Sequence, residues 1–99
     1  MHVALERVTE SLPADKSVYL SVDVDALDPS ELPGTSSPEP EGLSYAQLRD
    51  LSAATIGRNR LVGLDVPALA PNLDPSGRSE LLTARLLAET LALWWDELG

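Results

Sequence analysis

The chain has no cysteine, no phenylalanine, a single histidine and only two tryptophans and two tyrosines in 99 residues. Without cysteine there can be neither a disulfide frame nor a thiolate, so a metal must take oxygen ligands or nitrogen from His2. Hard cations such as manganese or magnesium suit that donor set best. Positive charge is also scarce. Seven basic residues against sixteen acidic ones leave a formal charge of −9, which repels nucleic acid and anionic lipid and offers no basic stripe for phosphates. No apolar run approaches the roughly 20 residues of a membrane span, and the first residues lack the form of a signal peptide. A soluble, cytoplasmic protein without nucleic-acid or membrane partners is the expectation, and residues 1–99 make one domain.

What is present is an alternation of short patterns. Val3 to Leu12 has helical spacing but stops at Pro13 with no cap ahead of it, as the tail of a longer helix would. Ser17 to Val24 (SVYLSVDV) is β-branched and nearly continuous in apolar character, as in a strand covered on both faces of a parallel sheet. Asp28-Pro29 and Pro33 to Gly42 (PGTSSPEPEG) form a long loop, of the kind that is usually functional or disordered. Ser44 and Gln47 make a capping box with Leu43 and Leu48 as hydrophobic staple, which starts a helix at Tyr45 running to about Ile56, with Gly57 placed to close it. Arg60 to Val66 reads as a second strand, and Pro67 to Gly77 as a second loop. From Ser79, Leu82, Leu86, Leu87, Thr90, Leu91 and Trp94 occupy one broad face of a last helix.

This order predicts a βαβα unit of an α/β fold, with parallel strands and a right-handed crossover, and such sheets hold ligands at the carboxyl ends of their strands. Two strands alone leave unpaired edges and an uncovered face, so further strands are expected from elsewhere, and the edges favour self-association into a homo-oligomer.

Asp23 and Asp25 stand one residue apart at a strand end, so in a regular strand both would point to one side and share a cation. The pair alone balances evenly between metal binding and a solvated strand end, and it also fits aspartyl phosphatases and sugar transferases. Its context is more specific. Ser21-Val22-Asp23-Val24-Asp25, three residues, Pro29, three residues, Pro33-Gly34, seven residues and Gly42 resemble the signature of the ureohydrolases, the arginase, agmatinase and formiminoglutamase family. The phosphatase pattern wants Thr or Val where this chain has Leu27. The resemblance covers most of the chain, as the carboxyl-terminal third of a family member.

That resemblance implies a three-layer α/β/α arginase-like fold, of which this is the C-terminal βαβα portion. It also implies a role in manganese-dependent hydrolysis of the carbon–nitrogen bond of a small guanidino or amidine substrate. Asp23 corresponds to the carboxylate bridging two manganese ions, Asp25 to a ligand of the second, and Ser37 to a hydroxyl lining the substrate pocket. Two cations sharing a water would make it a hydroxide near neutral pH. Asp28-Pro29 corresponds to a structural turn.

Two departures stand out. Ala68 occupies the place of a glutamate that pairs with the substrate guanidinium, and a methyl group cannot compensate a buried cation. Arginine and agmatine are thereby disfavoured. The DxHxD motifs that complete the family's metal site have no counterpart, so the chain by itself is expected to be an inactive fragment. A non-catalytic assembly or regulatory module that kept the fold and lost the metal site is the alternative. Asp65 is expected to cap a loop more than to support the metal, and Trp94 and Trp95 to serve core and subunit contact. His2 and the loop glutamates Glu39 and Glu41 are expected to be solvated.

Overall fold

The structure is a computed structural model that describes residues 11–35, 37 and 40–98. His2, Glu39 and all but the last two residues of the helix tail expected from Val3 to Leu12 lie outside the described residues. Two strands, β1 (Ser17–Ser21) and β2 (Arg60–Asp65), pair in parallel, connected through helix α1 (Tyr45–Arg58) and followed by helix α2 (Arg78–Leu98). The element order is the expected βαβα.

Each boundary has a local cause. Ser44 Oγ accepts from the Gln47 amide at 3.2 Å while Gln47 Oε1 accepts from the Ser44 amide at 3.0 Å, so the capping box starts α1 at Tyr45. The other end differs from expectation. Gly57 lies inside the last turn, and the helix closes at Asn59, whose backbone is extended rather than left-handed. Its side-chain amide donates to the Thr55 and Pro13 carbonyls and its Oδ1 accepts from the Lys16 amide, so a side chain does what a left-handed glycine would have done.

β1 is shorter than the apolar run that encodes it, ending at Ser21 rather than Val24. Ladder-like bonding continues past that point, with the Val22 amide donating to the Asp65 carbonyl at 2.9 Å and the Val24 amide to the Pro67 carbonyl at 3.4 Å. The chain then tightens into a 3-10 turn, Val24–Ala26. The register pairs Ser17 with Arg60 and Ser21 with Asp65, with an irregularity between Val18 and Tyr19 that passes over Val62. Coverage is also one-sided. Tyr19 is 61% and Val62 57% exposed, so among the described residues one face of the sheet is open, where continuous apolar sequence predicted cover on both.

The core does not lie mainly between helix and sheet. Val22, Val24, Leu27 and Leu32, all from the segment after β1, join Leu48 of α1 and Leu86 of α2 in one buried cluster. The segment from Val22 to Leu32 is thus packed structure, and its apolar residues carry the burial that a five-residue strand cannot. α1 and α2 meet over this cluster. The face of α2 that does so is narrower than its sequence suggests: Leu86 and Thr90 are buried, whereas Leu87 is 37% and Leu91 46% exposed.

Candidate functional site

The carboxyl ends of β1 and β2 open onto two loops, Val22 to Leu43 and Val66 to Gly77, and the candidate residues gather where these loops meet. Because the strand ends at Ser21, Asp23 and Asp25 are not alternate residues of a regular strand as the sequence reading supposed. Val22 and Val24 are drawn into the core, and Asp23 is left exposed as the cap of the 3-10 turn. Its Oδ1 accepts from the Asp25 amide at 2.9 Å. The half-buried Asp25 in turn accepts, on Oδ1, the backbone amide of Ser37 at 3.2 Å. The three residues singled out in the sequence are therefore joined in series by hydrogen bonds, twelve residues of loop notwithstanding.

Each bond fixes one carboxylate oxygen and leaves the other without a protein partner among the described residues. A carboxylate oriented by one amide, with its second oxygen available, is suited to a hard divalent cation. The donor set is incomplete, however. No group of three or more His, Cys, Asp or Glu side chains among the described residues is arranged to hold a metal.

Asp28 is differently employed. The Ser30 hydroxyl, then the Ser30 amide, hold its carboxyl below the usual carboxylate range, and its carbonyl accepts from the Glu31 and Leu32 amides. It builds the turn that ends the strand region. Asp65 is taken up by β1, accepting from Ser21 Oγ at 2.5 Å and from the Tyr19 hydroxyl at 3.3 Å. Its structural bonds run to the strand rather than to Asp23 or Asp25.

Two glycines of the signature owe their place to close approach. A Cβ on Gly42 would fall 2.7 Å from the Ala26 carbonyl oxygen and 2.8 Å from the Asp28 nitrogen, where Leu43 exchanges backbone bonds with Ala26 and Asp28 at 2.8 Å. A Cβ on Gly34 would fall 2.7 Å from Ser79 Oγ and 3.0 Å from the Cβ of Asp74. Both ends of the Ser37 loop are thereby pinned.

The Gly34 anchor was not visible in the sequence. Asp74, 7% exposed, accepts from the Ser76 amide and hydroxyl on one oxygen and from the Ser79 amide and hydroxyl on the other. Ser79 Oγ meanwhile accepts the Gly34 amide at 2.7 Å, and the Ala70 amide donates to the Gly34 carbonyl at 2.7 Å. The Ser76 hydroxyl, followed by the Ser79 hydroxyl and amide, holds the Asp74 carboxyl far below the usual range. The local string Asp74-Pro-Ser-Gly-Arg-Ser79, an acceptor just ahead of a helix, was the signal that could have revealed it.

Ala68 is part-buried against the core cluster and has a left-handed backbone, φ 78°, uncommon for a residue bearing a Cβ. Beside Asp23, a groove of about 220 Å³ runs between the end of β1 and α1, lined by Leu20, Val22, Leu48 and Leu51. A larger cavity of about 510 Å³ lies at the opposite, amino end of the strands, among Lys16, Arg58 and Arg60, away from all of the candidate residues. No helix among the described residues is long and apolar enough to cross a membrane.

Comparison with known proteins gives a consistent result. A sequence model of the arginase family matches residues 1–92. An N(1)-aminopropylagmatine ureohydrolase of Thermus thermophilus is 39% identical over 89 residues, which are 90% of this chain and 29% of the relative. The mitochondrial guanidino acid hydrolase of Homo sapiens is 42% identical over 76 residues, 77% of this chain and 21% of the relative. Among solved structures, the proclavaminate amidino hydrolase of Streptomyces clavuligerus superimposes with a TM-score of 0.74 at 31% identity, over 92% of this chain and 30% of that one. The chain spans about three-tenths or less of the length of these relatives.

Proposed function

Because the chain belongs to the arginase family, we propose that it is the metal-carboxylate portion of a manganese-dependent ureohydrolase, inactive until the rest of that fold is supplied. The observation that carries this reading is the series Asp23, Asp25, Ser37, in which each carboxylate is oriented by an amide and keeps one oxygen available. Two hard oxygen donors fit manganese in part, and the remaining ligands belong to the rest of the fold. Asp23 and Asp25 contribute negative charge that neutralises the cations. What the metal supplies when bound is Lewis acidity, which polarises a water nucleophile. Ser37 has two tasks, its amide orienting Asp25 and its hydroxyl facing the substrate as a hydrogen-bond partner.

The substrate class is a small guanidino or amidine compound, in line with the names of the relatives. Ala68 leaves no carboxylate on this loop to pair a guanidinium, so recognition of the cationic group falls to another residue of the complete site, or the substrate is a different amidine. The charge of −9 makes nucleic-acid and anionic-membrane partners unsuited, and a cytoplasmic location is part of the same proposal.

The test is complementation. The chain would be co-expressed with the portion of the Thermus thermophilus relative that it does not match, and urea release from guanidino compounds followed with and without manganese. The proposal expects manganese-dependent urea release that is lost with Asp23→Asn. Release that is indifferent to Asp23 and Asp25 would contradict it. No release from any guanidino compound, by a pair shown to associate and fold, would favour a module that kept the fold without the chemistry.

A further inference from the structure

Among the described residues, three buried side-chain polar atoms have no hydrogen-bond partner: Thr35 Oγ1, Thr83 Oγ1 and Trp94 Nε1. The indole nitrogen stands apart, about three turns along α2 from Thr83. The two hydroxyls belong to residues only 1% and 8% exposed, and a hydroxyl taken out of water with nothing in return carries a desolvation cost that folding must offset.

Both hydroxyls lie where α2 packs on the loop that carries Ser37. Ser79, Thr83, Leu86 and Thr90 form the buried stripe of α2. Ser79 Oγ accepts the Gly34 amide at 2.7 Å, and further along the stripe Leu86 joins Leu32 in the core cluster. Thr83 sits between these two contacts, so it faces the segment from Leu32 to Gly34, and Thr35 is next in the chain. Thr35 is held there by its backbone bridge to Leu69, which itself packs against the core cluster. Thr83 lies about 6 Å along the helix from Ser79, and Thr35 about 3.8 Å from Gly34. That spacing puts the hydroxyls within reach of one small bridging molecule, although they do not bond each other.

The direction of the Thr83 hydroxyl supports the same placement. Ser52, Thr55 and Thr90 each donate back to the carbonyl four residues earlier, at 2.9, 2.9 and 2.7 Å. Thr83 occupies the same kind of helical position and makes no such bond. Its hydroxyl is turned off the Ser79 carbonyl and is buried against the loop instead.

We infer that a single internal water bridges the hydroxyls of Thr35 and Thr83, fastening the loop that carries Ser37 to α2 at a second point beside the bond from Gly34 to Ser79. A buried water takes about two to four partners, and each hydroxyl can both donate to it and accept from it. Such waters occur about once per 27 residues, in polar sites, whereas apolar cavities stay dry. This chain's own residues enclose both hydroxyls, so whatever covers its outer surface has no part in the site.

Thr35→Val and Thr83→Val, alone and together, test the inference, because valine keeps the shape of threonine and differs little from it in helix propensity. The expected result is that each single variant melts about 4 °C lower by circular dichroism and that the double variant falls within about 2 °C of the lower single one, since both substitutions remove the same water. Magnetic relaxation dispersion of the water oxygen signal should show one long-lived water fewer in folded Thr83→Val than in the wild type, and the same number in Thr35→Ser, which keeps the hydroxyl. Two hydroxyls without any partner predict the opposite sign, with each valine raising the melting temperature. That rise, losses that simply add in the double variant, or an unchanged count of long-lived waters in Thr83→Val would each overturn the inference.

Discussion

Asp74 and the Asp23–Asp25 pair sit in the two loops at the same end of the sheet, yet they are bonded in opposite ways. Asp74 is 7% exposed and accepts four hydrogen bonds, two on each oxygen. Asp23 is exposed, and Asp23 and Asp25 each accept one bond in the described structure, on a single oxygen. A carboxylate that has used all its acceptor capacity on the protein fastens structure. One held by a single amide is oriented and still available to a ligand. Charge and residue type are identical in the two cases, so sequence alone does not separate the roles.

The largest effect that would break this contrast is on stability. Asp74→Ala removes the acceptor for four donors at the start of α2 and is expected to lower the melting temperature by roughly 10 °C or more, read by circular dichroism. A change of under about 2 °C would mean that Asp74 is not the fastening it is taken to be. Gly34→Ala should cost somewhat less, about 5 °C, because the new Cβ forces Ser79 and Asp74 away from the loop. It should also weaken the bond of Ser37 to Asp25, visible as an upfield shift of the Ser37 amide proton.

The pH dependence sharpens the same contrast. The folded state holds the Asp74 carboxyl below its unfolded value of about 3.9. Its contribution is therefore fully present above about pH 4 and is lost as pH falls below that. The difference in denaturant midpoint between the wild type and Asp74→Asn should be constant from about pH 7 to about pH 5 and shrink as pH drops further. A difference that widens on acidification would reverse the sign and contradict the account. The smallest stability effect is expected at the candidate ligands: Asp23→Asn and Asp25→Asn should each shift the melting temperature by no more than about 3 °C, since the asparagine oxygen can still accept the one amide that each aspartate holds.

Much of this was legible from residues whose reach is local. Ser44 and Gln47 mark the start of α1 because a capping box is closed within a single turn, and the short apolar runs before Asp23 and Asp65 mark the strands for the same reason. The signature from Ser21 to Gly42 located the candidate ligands, and the structure supplies the physical need for two of its glycines. What the sequence concealed depends on pairs far apart in the chain. The early end of β1, the bond from Ser37 to Asp25 and the Asp74–Ser79–Gly34 anchor all require distant residues to meet, twelve apart for Ser37 and Asp25 and forty-five for Gly34 and Ser79. Asn59 displaced Gly57 as the helix stop through bonds to Pro13 and Lys16, again contacts that no local pattern announces. The expected broad face of α2 took in Leu87 and Leu91, which are exposed, because they interleave with the buried Leu86 and Thr90.

The most direct test of the contrast is a manganese titration of the chain by calorimetry, beside Asp74→Asn and a variant carrying both Asp23→Asn and Asp25→Asn. The account predicts weak binding by the wild type, retained by Asp74→Asn wherever that variant is folded, and lost in the double variant. Binding that survives removal of both aspartates, or that disappears only with Asp74, would contradict the assignment of Asp23 and Asp25 as the available carboxylates.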